Sequence, residues 1–137
     1  MSLPETDSVL AIDPGSAKWG LAVVESNGNC RWREVVPAAD AKNRVEAAVQ
    51  THLVGRILLG DLTGSKQAQD VLASLTLPIL LVPEHRTTLL ARSLYWRDHP
   101  PRGWRRFVPL GLLTPPEPLD AYAAEVLALR HFDLLPG

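Results

Sequence analysis

Ser8-Val9-Leu10-Ala11-Ile12-Asp13-Pro14-Gly15, continued by Ser16-Ala17-Lys18-Trp19-Gly20-Leu21-Ala22-Val23-Val24-Glu25, is the stretch whose reading decides the fold. The apolar run from Ser8 to Ile12 reads as a short strand, and Asp13-Pro14-Gly15 as the tight turn that ends it. Trp19 to Glu25 reads as a second strand. Asn27-Gly28-Asn29 signals a turn, and Cys30 to Val36 alternates enough to read as a third strand. Together they predict an antiparallel meander.

Downstream the period changes. Ala39 to Leu53 places Val45, Ala48, Val49 and Leu53 near helical spacing, with Asp40 in the first turn, where it suits the helix dipole. Arg56 to Gly60 reads as a short buried strand, Ser65 to Leu75 as a helix capped by Ser65, and Pro78 to Val82 as another strand. Thr87 to Trp96 reads as a helix with Thr87 or Thr88 as its cap. Residues 98–118 carry six prolines and read as a long loop, a feature usually functional or disordered in a compact domain. Leu119 to Phe132 is the clearest helical pattern. The order predicts an α/β fold: a mixed five-stranded sheet, meander first and parallel strands after, flanked by helices. A single domain over residues 1–137 is expected, with residues 1–7 as a polar tail.

Composition narrows the class. Of 137 residues, 46% are hydrophobic and 21% charged, as in ordinary globular chains. There is no apolar run of membrane-spanning length and no signal-like N-terminus, so a cytoplasmic protein with no membrane partner is expected. The single cysteine, Cys30, excludes an internal disulfide or a cysteine-based zinc cluster. Net charge is −1, yet between Glu84 and Val108 six arginines (Arg86, Arg92, Arg97, Arg102, Arg105 and Arg106) face only two acids, Glu84 and Asp98. Trp96 and Trp104 lie among them. That mixture suits phosphate contacts and base stacking; its plainer reading is that the tryptophans pack the loop onto the sheet while the arginines are solvated. Lys18 is a further phosphate candidate, and Trp19 reads as core.

Acids at strand ends supply the chemistry. Asp13 ends the first strand, Asp61 follows the strand closing at Gly60, and Glu84 follows the strand closing at Val82. The carboxyl ends of parallel strands are the usual ligand crevice of such sheets, and Asp120, opening the last helix, can approach from the side. Carboxylates gathered in a small volume repel one another unless a cation is present. Oxygen donors without cysteine favour Mg2+ or Mn2+ over zinc. Each acid also has a plainer reading: Asp13 and Asp61 as turn residues, Glu84 as a partner of Arg86, Asp120 as a dipole partner.

These stretches together resemble a known group. Val9 to Val24 resembles the opening of RuvC-type resolvases and the related YqgF-type nucleases, in which an apolar strand delivers an aspartate into a glycine turn. Pro83-Glu84-His85-Arg86-Thr87-Thr88-Leu89-Leu90-Ala91-Arg92 resembles the Asp-Glu-Arg-Leu-Thr-Thr stretch of the YqgF group, and Leu119-Asp120-Ala121-Tyr122-Ala123-Ala124-Glu125-Val126-Leu127 resembles their final helix. The Leu59-Gly60 to Gly64-Ser65 stretch is similar to their fourth-strand turn. The resemblance spans about residues 8–132 in the right order. It implies a ribonuclease H-like fold and divalent metal held by Asp13, Glu84 and Asp120. Departures accompany it: Pro83 stands where an acid is usual, and His85 separates Glu84 from Arg86. Resolvases carry their second acid at the end of the fourth strand, where this chain offers Asp61, so Asp61 and Glu84 compete for one role. A paired acid beside Asp120 is missing, although Glu117 lies three residues before it.

The expected function is two-metal hydrolysis of phosphodiesters in structured nucleic acid, DNA or RNA, a Holliday junction or an rRNA precursor, with Asp13, Glu84, Asp120 and Asp61 catalytic. Junction cleavage implies a two-fold homodimer; rRNA trimming does not. Two rivals stand beside it: a nucleic-acid-binding or scaffold protein that kept the fold and lost the site, and an actin-like phosphate-binding domain. The latter is disfavoured because no second lobe is present to close over a nucleotide.

Overall fold

A computed structural model describes residues 8–62 and 64–135, so the expected tail lies outside the described residues. Strand β1 (Val9–Pro14) runs through the middle of a five-stranded sheet of order β3-β2-β1-β4-β5. Strands β2 (Lys18–Val24) and β3 (Cys30–Pro37) form the antiparallel meander with it. Strands β4 (Arg56–Gly60) and β5 (Ile79–Val82) add in parallel on its other side. The mixed sheet expected from the sequence is the one observed.

Alternation sorts the side chains of the central strands onto two faces. Leu10, Ile12, Leu21, Val23, Ile57 and Leu59 pack with Val45 and Ala48 of helix α1 (Ala41–His52) and with Ala68 of α2 (Ser65–Val71). Val9, Ala11, Ala22, Val24, Leu58 and Val82 pack on the opposite face against Ala124, Leu127 and Ala128 of α4 (Asp120–His131). Asp13 continues the series of Val9 and Ala11, and therefore belongs to the α4 face. By the same count so do Gly20 of β2 and Gly60 of β4. Helix α4 is buried from Ala121 to Leu129, the expected state of a helix apolar nearly all round.

Helix starts and ends depart from expectation at three places. Helix α2 begins after Gly64 at φ 94°, without a side-chain cap from Ser65. A left-handed residue swings the chain into the helix, so Ser65 falls inside the first turn. The helix stops at Val71, and tight three-residue hydrogen bonds (Ala73 N–H to Asp70 O, Leu75 N–H to Leu72 O) wind down the rest of the expected span. Helix α3 (Thr87–Asp98) likewise follows a left-handed residue, Arg86 at φ 64°, and neither threonine caps it. The proline-rich segment is not one unbroken loop. It contains 3-10 turns at Gly103–Phe107 and Leu110–Leu112. Leu113 anchors it in a third cluster with Ala91, Tyr95, Trp96, Tyr122 and Val126. Among the described residues no helix is long and apolar enough to cross a membrane.

Candidate active site

Asp13 sits near the end of the central strand, opposite Gly20 in the β1–β2 register; on the other side Ile12 pairs with Leu59, so Gly60 ends the adjacent strand beside it. Both glycines leave room for a neighbour. A β-carbon on Gly20 would overlap the backbone carbonyl of Asp120 and stand 2.7 Å from the nitrogen of Ala121, so α4 can start here only because that strand position is bare. A β-carbon on Gly60 would stand 2.6 Å from Cγ and Oε1 of Glu84. The two gaps flanking Asp13 are thus filled from outside the strands, one by the start of α4 with Asp120 and the other by Glu84.

The electrostatics follow from this crowding. The Asp13 carboxyl is pushed up to about 8, first by burial, then by its hydrogen bond with Glu84 and by the charges of Glu84 and Asp120. Near neutral pH Asp13 therefore keeps its proton. Glu84 Oε2 accepts from the backbone N–H of Leu62 at 2.8 Å. The Glu84 backbone N–H in turn donates to Asp61 Oδ1 at 3.2 Å. This reciprocal pair ties the loop after β4 to the loop after β5. Lys18 Nζ stands 3.4 Å from Asp120 Oδ2, an ion pair outside hydrogen-bonding geometry, and this buried oxygen has no hydrogen-bond partner among the described residues. As the side chains stand, no group of three His, Cys, Asp or Glu residues among those described is gathered tightly enough to hold a metal ion.

Asp13, Glu84 and Asp120 are therefore brought together, with Lys18 beside them. Asp61 is exposed and directed at the Glu84 backbone, so of the two rival acids Glu84 is the one bonded to Asp13. The other candidates are spread out. Arg86 holds the left-handed turn before α3, and Arg92 is half-buried with its Nε unpartnered among the described residues. Arg97, though exposed, bonds Asp98 at 2.8 Å and reaches Glu125 at 3.4 Å, so its guanidinium is engaged by two of the protein's own acids. Trp96 is buried, whereas Trp104 is exposed beneath the guanidinium of Arg105, 5.4 Å from its ring centre. Arg106 lies similarly over exposed Phe107 at 4.9 Å, and Arg102 is exposed just before this turn.

Sequence reasoning missed Gly20 and Gly60 as site residues, and also a second charged cluster. Glu125, fully buried in α4, accepts from Arg33 at 2.7 Å, and Arg33 also bonds Asp98 at 2.8 Å. Tyr122 donates to Asp98 at 3.1 Å and carries the Arg33 guanidinium over its ring at 4.4 Å. The signal was present: one glutamate in an otherwise apolar helix must find a cation. This cluster staples β3, α3 and α4 together.

No family model matches the sequence, and no curated protein matches it. Among solved structures, RuvC of Thermus thermophilus in complex with a Holliday junction substrate superposes with a TM-score of 0.58 at 19% identity, over 90% of this chain and 92% of that one. A second Thermus thermophilus RuvC structure gives 0.56 at 18% identity, with the same coverage. The chain has the RuvC fold. Nearly the whole length of both chains is shared. In this RuvC fold Asp13 ends the central strand, and the two glycine gaps beside it lie at the carboxyl end of the parallel pair β1–β4, where open α/β sheets usually place their ligands.

Proposed function

We propose that this protein is a RuvC-like nuclease that hydrolyses phosphodiester bonds in branched or structured nucleic acid, with Asp13, Glu84 and Asp120 holding Mg2+ or Mn2+. The observation that carries this reading is the convergence of three carboxylates over two glycine gaps, with Asp13 forced to keep its proton near neutral pH. The donor set is oxygen only, which fits a hard divalent cation, and the buried, unbonded Asp120 Oδ2 is a ligand oxygen in want of a partner. A divalent cation held there supplies Lewis-acid stabilisation of phosphodiester charge and a water nucleophile at neutral pH. The chain's own residues do the rest. Glu84 is pinned by Leu62 N–H and, through its backbone, by Asp61. Lys18 neutralises Asp120 when no cation is present. Lys18, Arg86, Arg102, Arg105 and Arg106 contact phosphates, and Trp104 and Phe107 offer faces to unpaired bases. A four-way junction is the favoured substrate, by likeness to the junction-bound RuvC.

A second reading has its own support. The acids are not gathered tightly enough for an ion and Lys18 already pairs with Asp120, as in a fold that binds nucleic acid without cutting it. The two separate cleanly with a labelled four-way junction and a structured RNA, each incubated with Mg2+ or Mn2+. The nuclease reading expects cleavage that Asp13→Asn, Glu84→Gln and Asp120→Asn each reduce by at least about a hundredfold. The binding reading expects salt-dependent association and intact substrate with either metal.

A further inference from the structure

A cavity of about 390 Å3 opens between the last turn of α3 and the proline-rich segment. This is within the range of about 300–1,000 Å3 of small-ligand sites. Its walls include Tyr95, Trp96, His99, Arg102, Arg105 and Leu113. Trp96 is only 9% exposed, and its indole Nε1–H is buried with no acceptor among the described residues. His99 stacks on Tyr95 at 4.4 Å, and its Nδ1 is 3.2 Å from the Tyr95 carbonyl. A carbonyl can only accept, so Nδ1 carries the proton and Nε2 is left free of that bond. Arg102 and Arg105 add two exposed guanidiniums to the same lining. Apolar and aromatic walls and two cations match a flat heteroaromatic ring attached to a phosphate. Prolines 100, 101 and 116 in the wall limit the entropy that ordering this rim must cost. The neighbouring Trp104–Arg105 and Arg106–Phe107 pairs give a strand leading to the cavity a surface to stack on.

We propose that this cavity holds one unstacked nucleotide of the nucleic-acid ligand, its base against Trp96 and its phosphate at Arg102 and Arg105. The proposal rests on the nucleic-acid reading above, but it concerns residues outside the carboxylate cluster and is tested apart from it. The probe is a nucleoside 5′-monophosphate, followed through the four tryptophan indole N–H signals in proton–nitrogen spectra of the full chain. A saturable shift of the Trp96 signal is expected at millimolar nucleotide, with the signal of Trp19, buried on the other sheet face, unmoved. Arg102→Gln and Arg105→Gln, both at exposed positions that leave folding intact, are each expected to weaken the response by about tenfold, the scale of one lost charge-assisted hydrogen bond. Asp13→Asn is expected to keep the full response, whether or not the wild type binds metal or cuts nucleic acid. No Trp96 shift at millimolar nucleotide overturns the proposal. So does a full response to inorganic phosphate alone, which would reduce the cavity to an anion site. Loss of the response in Asp13→Asn would overturn its independence from the carboxylates.

Discussion

The carboxyl group of Glu84 occupies the space that a side chain on Gly60 would fill: a β-carbon there would stand 2.6 Å from Glu84 Oε1. Gly20 makes the matching gap for the start of α4 on the other side of Asp13. The two glycines differ in what lies over them, and this difference is measurable. Over Gly60 is the end of a flexible side chain; over Gly20 is backbone. Gly60→Ala is expected to fold with a small loss of stability and to lose divalent-metal affinity by about tenfold or more, because Glu84 must swing away. Gly20→Ala is expected to lose at least about 1–3 kcal/mol of stability in urea unfolding, because a helix terminus cannot swing.

Asp13 sets a pH dependence on the metal-free protein. Its carboxyl is raised to about 8 in the folded state, against an ordinary aspartate in the unfolded chain. Between about pH 4 and pH 8 the folded state therefore holds a proton that the unfolded state has released, and stability falls as pH rises through that window. Asp13→Asn removes the dependence. Melting temperatures measured across pH 5 to 9 are expected to fall in the wild type and to be flatter in the variant, which should be the more stable of the two at pH 9. The same linkage makes metal affinity rise with pH, since the cation competes with that proton.

Arg33 and Glu125 form the buried half of the cluster that joins β3, α3 and α4. Arg33→Ala leaves Glu125 buried with only the longer contact to Arg97 at 3.4 Å. A loss of about 3–5 kcal/mol is expected from denaturant unfolding. The double replacement Arg33→Met with Glu125→Leu is expected to recover much of it, since neither charge then remains in the interior.

Lys18 and Asp120 are both partly exposed, and such pairs contribute little to folding. Lys18→Ala is expected to change stability by less than about 1 kcal/mol. It should nevertheless strengthen Mn2+ binding by freeing Asp120 and weaken junction binding by removing a phosphate contact. Calorimetry and a salt titration of junction binding read the two effects separately.

The fold was legible because its signals are local. Val9–Ile12 and Trp19–Val24 are short apolar runs on either side of an Asp-Pro-Gly turn, and Arg56–Gly60 and Ile79–Val82 are short apolar runs between helical patterns. The positions of Asp13, Glu84 and Asp120 were legible for the same reason, at the end of a strand, just after one and at a helix start. Their arrangement was not. That Glu84, and not Asp61, bonds Asp13 depends on the bare position at Gly60, a contact between residues far apart in sequence. The helix caps were misread because Gly64 and Arg86 enter the left-handed region, which Ser65 and Thr87 do not announce. Arg97 looked like a phosphate ligand by its neighbours, but it bonds its neighbour Asp98 at 2.8 Å and also reaches Glu125, 28 residues away. Trp96 is likewise buried in a cluster with Leu113, Tyr122 and Val126, residues distant from it in sequence.

The most direct measurement is Mn2+ binding by calorimetry to the full chain and to Asp13→Asn, near pH 8 in low salt. Wild-type binding of millimolar strength or tighter, lost in the variant, is the predicted result and establishes the carboxylates around Asp13 as a cation site. No binding by the wild type, or equal binding by both proteins, would contradict it and leave the fold as a nucleic-acid binder without metal chemistry at this site.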